Sequence, residues 1–289
     1  MEKVKLGFIE MLASTFIWGS VPIFAIWCAL PSPVFVFFRV LFALPFVFLY
    51  AHRKIGSKKL FSFSHFLPIV ASGIALSLNW ILLFLSFYKT SVGNAIVLYY
   101  LGPIFTVLLA VLFLKEKAGK FLFIAVALSL SGMIAVFLPA LKSQGANSGS
   151  VFGLILALLS GIFYGLLGLF SKIGTKYHSS VKLTAYQILI ALIFTAPFTT
   201  ITKFSLNAKV LLLLVITGIV HTFLALYLWY DSLNYIKVST ASILAYADPL
   251  FAVLLSALIL KQSVTIAQII GLILITLAGI TAFFNESGG

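Results

Sequence analysis

The sequence predicts an all-α membrane protein, in which ten transmembrane helices form two inverted five-helix repeats around a central cavity. Three observations predict this fold class: an apolar composition, ten apolar runs of membrane-spanning length, and an internal repeat. The composition excludes a soluble globule. Hydrophobic residues make up 62% of the 289 residues and charged residues only 9%, whereas a soluble domain carries about 25% charged residues because its surface faces water.

The ten apolar runs each approach the roughly 20 residues that a helix needs to cross about 30 Å of hydrocarbon. They are apolar on nearly every face, unlike the alternating strands of a membrane β-barrel, so we predict helices. Numbered span 1 to span 10, they are predicted at 6–28, 33–51, 66–88, 92–114, 119–138, 150–173, 181–201, 208–231, 238–260 and 265–284. Together they use nearly the whole chain and leave no room for a soluble catalytic domain.

The internal repeat appears when the sequence is aligned with itself at an offset of 146 residues. Residues 100–109 then align with residues 246–255, so that a tyrosine and a proline coincide in the two copies. Because each copy holds an odd number of spans, the second copy enters the membrane from the opposite side, as in many secondary transporters. We therefore predict a first repeat at 1–140, a Gly/Ser-rich linker at 141–149 and a second repeat at 150–289.

The net charge of +13 is spread over short loops with no single basic patch, so we expect no nucleic-acid partner. The positive-inside rule assigns the more positive side to the cytoplasm. That side would carry Lys3, Lys5, Arg53, Lys54, Lys58, Lys59, Lys115, Lys117, Lys120, Lys172, Lys176, Lys182 and Lys237. The other side would carry only Lys89, Lys142, Lys203, Lys209 and Lys261.

This charge bias predicts a multi-pass protein of a prokaryotic cytoplasmic (inner) membrane with both termini in the cytoplasm. The bias is weaker in the second half of the chain, so an odd number of spans is the alternative. We expect the lipid bilayer and a small-molecule substrate as partners, and a monomer or a weak homodimer.

Several short motifs resemble those of the EamA domain of the drug/metabolite transporter superfamily. They are Phe-Ile-Trp-Gly-Ser at 16–20, Phe-Phe-Arg at 37–39, the stretch 94–103, and Leu-Lys-Glu-Lys at 114–117. The resemblance covers the whole chain. The second copy departs from the family pattern at Gln262, where an acidic residue is usual, and span 7 has no arginine equivalent to Arg39.

The resemblance implies a ten-helix carrier that exports or imports amino acids, related metabolites or drugs. It also implies that spans 1–4 and 6–9 enclose a central cavity, while spans 5 and 10 lie outside it.

Asp248 is the strongest functional candidate, because it lies about ten residues into span 9 and hence near the membrane midplane. A charge at that depth costs about 2.5–3.5 kcal/mol or more, so Asp248 should face a cavity or a partner. We expect it to bind a substrate amine or cation, or to exchange protons; a capping role beside Pro249 is the structural alternative. Pro103 and Pro249 stand at matched positions in spans 4 and 9, where each removes a backbone donor, and we predict them as hinges.

Arg39 in span 2 suits a bidentate grip on a carboxylate, phosphate or sulfonate. The alternatives are that it reaches the outer membrane interface, or that it pairs permanently with Asp248. His221 in span 8 lies level with Asp248, and an imidazole near a carboxylate is what a proton relay requires. A buried packing histidine is the alternative for His221.

The remaining binding candidates are aromatic or polar side chains of the spans: Trp18, Asn79, Tyr99, Tyr100, Tyr164 and Tyr246. An aromatic cavity with a few polar groups suits amphipathic solutes such as amino acids. For most tryptophan and tyrosine residues of the chain, a packing or membrane-belt role is the alternative.

We therefore expect a secondary carrier that moves a small metabolite by alternating access, with proton coupling through Asp248 and His221 as a further hypothesis. The alternatives are an organic-cation or drug exporter of the same fold, a channel or lipid flippase, and a purely structural membrane partner. The sequence has no recognisable phosphate-binding loop, metal-ligand cluster or nucleophile triad, and Cys28 is its only cysteine. We therefore expect no enzyme activity, no cofactor and no metal.

Overall fold

The computed structural model of the protein describes residues 2–90, 92–143, 150–200 and 203–287. Within these ranges the regular structure is helical, and ten segments are long and apolar enough to cross a membrane. They are Glu2–Cys28, Ser32–Leu60, Leu67–Phe87, Asn94–Phe113, Lys120–Leu138, Val151–Gly174, Ser180–Thr200, Ala208–Ser232, Val238–Leu260 and Ile266–Phe284. The ten-span prediction is therefore confirmed. Most of the predicted linker, at 144–149, lies outside the described residues.

Two span boundaries differ clearly from the prediction. Span 1 begins at Glu2 and not at residue 6, and span 2 continues to Leu60 and not to residue 51. The extension of span 2 carries exposed charged residues such as Arg53 and Lys58, so hydropathy could not reveal it. The helix bends at Gly56, whose φ of 73° is readily adopted only by glycine.

Besides span 7, in which the four-residue helix Pro197–Thr200 follows Ser180–Thr195, three spans are broken into two helices. Span 1 consists of Glu2–Gly19 and Val21–Cys28, span 4 of Val92–Tyr99 and Gly102–Phe113, and span 9 of Val238–Leu244 and Ala247–Leu260. In each, a proline lies in the first turn of the second helix, where its missing N–H leaves no helical bond unmade. Pro103 and Pro249 hold this position in spans 4 and 9, so the two breaks are related by the 146-residue repeat.

Span 8 contains a π-helical segment, Thr217–Leu224, between two α-helices, Ala208–Ile216 and Ala225–Ser232. The segment includes the buried residues Gly218 and His221. A Cβ atom at Gly218 would lie 2.8 Å from the backbone oxygen of Arg39. Spans 2 and 8 therefore touch backbone to backbone beside Arg39.

The other helices are Ser32–Leu60, Leu67–Phe87, Lys120–Ser143, Val151–Gly174, Ser180–Thr195, Pro197–Thr200 and Ile266–Ser287. Span 5 packs along span 10 so closely that a Cβ atom at Gly271 would lie 2.6 Å from the Gly132 backbone oxygen. Short loops between long helices make successive spans antiparallel. The loops after even-numbered spans therefore lie at one end of the bundle, and the loops after odd-numbered spans lie at the other.

Candidate functional site

A cavity of about 560 Å³ lies between the spans. This volume is in the range that proteins use for small organic ligands. Its wall is formed by Trp18, Val21, Pro22, Arg39, Leu76, Asn79, Trp80, Leu83, Phe84, Phe87, Ile96, Tyr99, Tyr100, Val136, Phe137, Tyr164, Leu167, Leu226, Trp229, Ala245, Asp248, Pro249, Ala252, Val253, Ser256, Gln262, Ser263, Val264 and Gln268. Seven of the nine predicted binding residues are in this wall.

The cavity reaches one end of the bundle. Its wall includes the exposed residues Gln262 and Ser263, which lie in the loop after span 9. Its opposite part includes Leu226 and Trp229, both 2% exposed. We call the end formed by the loops after odd-numbered spans the cavity end, and the end formed by the loops after even-numbered spans the closed end.

The wall is not confined to the spans expected from the family resemblance. Val136 and Phe137 of span 5 and Gln268 of span 10 line the cavity, so the expectation that both spans lie wholly outside it is wrong. The reason lies at the break in span 4, where the ring of Tyr100 packs on Phe137 at 5.5 Å between centroids. Span 5 thus closes the cavity wall beside the break.

Asp248 lies in the first turn of the second helix of span 9 and lines the cavity. Its Oδ2 accepts a hydrogen bond of 3.1 Å from the Tyr100 hydroxyl. The Tyr246 hydroxyl in turn donates to the backbone oxygen of Tyr100 at 2.7 Å. These two tyrosines are the pair that the internal repeat aligns, so the chain of bonds joins the breaks of spans 4 and 9 and holds the carboxylate toward the cavity.

Arg39 is also in the wall, and it is 8% exposed. Its Cζ lies 4.8 Å from the centroid of the Trp80 ring, the geometry of a cation–π contact. Its Nε has no hydrogen-bond partner among the described residues. The guanidinium therefore lies inside the bundle and not at the membrane interface. Asp248 is not its partner, because the Asp248 carboxylate accepts its hydrogen bond from Tyr100.

Aromatic rings form the wall between these two charged groups. The rings of Tyr99 and Tyr164 meet edge to face, with their centroids 5.7 Å apart. The ring centroids of Trp18 and Trp229 are 6.3 Å apart. The Trp18 Nε1 donates to the backbone oxygen of His221 at 3.0 Å. These contacts pack the rings against one another and against span 8 along the cavity wall.

Asn79 lines the cavity but also joins two spans. Its Nδ2 donates to the backbone oxygen of Ser160 at 2.9 Å, and the Ser160 hydroxyl donates to the backbone oxygen of Asn79 at 2.8 Å. Asn79 therefore holds span 3 against span 6 at the level of the cavity.

His221 and Tyr246 are the two predicted binding residues that do not line the cavity. His221 is 2% exposed, and its Nε2 lies 2.7 Å from the Ser20 hydroxyl oxygen. Because Ser20 donates its only hydroxyl proton to the Ile17 backbone oxygen, we assign the ring proton to Nε2. The Nδ1 atom then has no partner among the described residues, so the imidazole supports the break in span 1 from behind the cavity wall.

Among the wall residues that the sequence prediction did not include, Trp80 and Trp229 have the largest side chains. At the repeat offset, Trp80 aligns with Leu226 and Trp229 aligns with Leu83, and all four side chains line the cavity. A search that paired tryptophan with leucine, and not only with aromatic residues, would have found them. Among the described residues, no group of three His, Cys, Asp or Glu side chains is placed to hold a metal ion.

The family model described as the EamA-like transporter family matches residues 5–138 and matches again at residues 151–284. The chain belongs to this family. It is 30% identical to the uncharacterized transporter YxxF of Bacillus subtilis over 92% of this chain and 86% of that protein. It is 24% identical to the uncharacterized transporter YoaV of the same organism, over 95% and 94% of the two chains.

A solved crystal structure has the same fold. It superposes on this EamA protein with a TM-score of 0.84 over 98% of both chains, at 16% sequence identity. The family and the names of its relatives identify a multi-pass membrane transporter of a bacterial type.

Proposed function

We propose that this protein is a secondary carrier that moves an amino acid or a closely related amphipathic metabolite across the cytoplasmic membrane by alternating access. One observation carries the proposal. A cavity that reaches the cavity end contains, within an aromatic wall, the carboxylate of Asp248 and the guanidinium of Arg39, which has no anionic partner among the described residues.

The two charged groups match the two ends of a zwitterion. The Arg39 fork would bind the substrate carboxylate, which supplies the counter-charge that Trp80 cannot. Asp248 would bind the substrate amine, and Tyr100 would keep the carboxylate oriented toward it. The rings of Tyr99, Tyr164 and Trp229 would contact the apolar part of the solute.

Alternating access is supported by the internal repeat. We propose that residues 1–140 and 150–289 form two repeats of opposite membrane orientation, joined by the linker at 141–149. In such carriers the site lies between the repeats, and broken helices line it. The matched breaks of spans 4 and 9 at Pro103 and Pro249 are the places where we expect each wall to bend.

Binding can be measured with the tryptophans of the protein itself, because Trp18, Trp80 and Trp229 line the cavity. We expect L-leucine, L-methionine or L-phenylalanine to change their fluorescence in detergent solution. N-Acetyl-leucine lacks the amine charge and leucinamide lacks the carboxylate charge. Because a hydrogen bond to a charged group contributes about 1.5–3 kcal/mol, each should bind about tenfold or more weakly than leucine.

The outcomes of this titration separate the candidate functions. A cavity with one carboxylate and many rings also suits an organic cation, so an exporter of such cations is the second candidate. Leucinamide that binds as tightly as leucine would favour that candidate. No response to any of the amino acids would reject the proposed substrate class. Saturable uptake with counterflow in proteoliposomes would exclude a channel.

A further inference from the structure

The closed end of the bundle is held by a carboxylate that caps a helix. Glu116, in the loop after span 4, accepts hydrogen bonds from the backbone N–H groups of Val238 and Ser239 at 3.0 and 3.1 Å. The Ser239 hydroxyl donates to the same carboxylate. The first N–H groups of a helix have no partner within it, and a negative charge there is favourable. Glu116 therefore fastens the loop after span 4 to the beginning of span 9.

The loop after span 9 repeats the backbone of the loop after span 4. The Glu116 N–H bonds to the Ala110 backbone oxygen at 3.2 Å, and the Gln262 N–H bonds to the Ser256 backbone oxygen at 3.4 Å. The preceding residues, Lys115 and Lys261, have φ values of 56° and 55°. Each pair is separated by the repeat offset, so the two loops are equivalent in conformation as well as in sequence position.

The side chains of the two loops are in opposite situations. Glu116 is partly buried at the closed end and bonded to span 9, whereas Gln262 is exposed and lines the cavity where it reaches the cavity end. By the repeat, the first turn of span 4, whose helix begins at Val92, is the place at which Gln262 would make the equivalent contact. That contact would close the cavity end.

We propose that Glu116 and Gln262 are the paired latches of the transport cycle, one at each end of the bundle. This inference rests on the proposed alternating access. In the state of this structure Glu116 is engaged and Gln262 is free; in the opposite state Glu116 leaves span 9 and Gln262 caps span 4. A carboxylate accepts two N–H bonds with its charge, while a neutral glutamine offers one carbonyl oxygen. The unequal pair therefore holds the empty protein open at the cavity end.

Other polar contacts at the closed end also favour the state that is open at the cavity end. The Lys172 ammonium donates to the backbone oxygens of Ile236 and Leu233, and the Ser180 hydroxyl donates to Asp231 at 2.6 Å. At the repeat offset, Lys172 aligns with Ile26 and Asp231 with Leu85. Neither aligned residue can make an equivalent polar contact at the cavity end, so of these three contacts the one made by Glu116 is alone in having a polar side chain at the equivalent position.

The equilibrium between the two states can be measured by the reactivity of single cysteines. The chain has one cysteine, Cys28, which Cys28→Ala removes. Ser256→Cys then reports on the cavity wall, and Ser232→Cys reports on the closed end, where Ser232 is fully buried. The reactivity of each cysteine is measured as its rate of maleimide labelling in detergent, without any substrate.

Glu116→Gln should raise labelling of the Ser232→Cys reporter by about fivefold, the effect expected for losing one charged cap, and it should lower labelling of the Ser256→Cys reporter as the open population falls. Gln262→Glu should lower labelling of the Ser256→Cys reporter by strengthening the second latch. Glu2→Gln makes the same chemical change at an exposed residue, and it should leave both rates as they are in the parent.

Three results would overturn the latch proposal. They are rates for Glu116→Gln equal to those of the Glu2→Gln control, an increase at both reporters together, and no effect of Gln262→Glu on the cavity reporter. If Glu116→Gln does not yield folded protein, the effect of Gln262→Glu on labelling of the Ser256→Cys reporter is the test of the proposal. Reciprocal labelling without transport of any amino acid rejects the proposed substrate, while transport with non-reciprocal labelling rejects the latches.

Discussion

At the scale of single residues, we expect Asp248 to determine what chemistry the cavity can perform. A carboxylate near the midplane is costly unless it is solvated or paired. Among the described residues its carboxylate has one side-chain donor, the Tyr100 hydroxyl, and it also lines the cavity. We expect a group placed in this way to exchange a proton with water when the substrate leaves, as the hypothesis of proton-coupled transport requires.

We predict that Asp248→Asn abolishes accumulation of a transported amino acid driven by a pH gradient in proteoliposomes. Counterflow at saturating substrate should persist, because the asparagine oxygen still accepts the bond from Tyr100 and the cavity keeps its shape, although the lost charge raises the substrate concentration needed for saturation. Tyr100→Phe is the matched variant: it removes the donor but retains the carboxylate, so accumulation should remain. Accumulation by Asp248→Asn at the rate of the parent would show that the proton is carried elsewhere.

The cost of a buried charge explains which residues of the site could be predicted from sequence. Asp248 and Arg39 are conspicuous because few charges occur inside the spans, and both line the cavity. His221 is also a titratable residue inside a span, but it lies behind the cavity wall. Its position there follows from the π-helical segment and from its contact with Ser20, which the sequence does not reveal. Its part in a proton relay stays a prediction. Trp80 and Trp229 were hidden because hydrophobic residues are common in every span.

At the scale of helices, the prolines made the breaks in spans 4 and 9 predictable, because a proline cannot donate the bond that would continue the helix. The π-helical segment of span 8 has no such signal. It arises where Gly218 meets the backbone of span 2, and this tertiary contact is not visible in the local sequence.

Close approach of spans 4 and 6 should depend on Gly165. A Cβ atom there would lie 2.7 Å from the Phe105 Cβ and 3.1 Å from the Phe105 carbonyl carbon. We predict that Gly165→Ala destabilises the protein by about 1–3 kcal/mol through overpacking, seen as a lower midpoint of thermal unfolding in detergent. Small residues allow such close packing in membranes.

Gly279→Ala is the control for this prediction, because the nearest atom to a Cβ there is Leu244 Cδ2 at 3.6 Å, an ordinary contact. Its unfolding midpoint should equal or exceed that of the parent, since alanine favours a helix by about 1 kcal/mol. Equal midpoints for both variants would mean that spans 4 and 6 separate at little cost.

At the scale of the whole molecule, the two ends of the bundle differ in charge and in structure. The closed end carries thirteen of the eighteen lysine and arginine residues outside the cavity wall, and the cavity end carries Lys89, Lys142, Lys203, Lys209 and Lys261. The end with the polar contacts of Glu116 and Lys172 is therefore also the positive end. Composition and the repeat were enough to predict ten spans, but not which end is open, because under the proposed alternating access this depends on the balance between two nearly symmetric states.

From the positive-inside rule we predict that the closed end lies in the cytoplasm and the cavity end outside the cell. In the Cys28→Ala background, Ser263→Cys and Ser62→Cys put single exposed cysteines at the cavity end and the closed end. We predict that a membrane-impermeant maleimide labels the Ser263→Cys variant in intact bacterial cells. The Ser62→Cys variant should react only after the membrane is opened.

The reverse pattern would mean that the cavity of the empty carrier faces the cytoplasm. Labelling of both variants in intact cells would mean that the charge bias is too weak to fix one orientation, since the two halves of the chain differ in its strength.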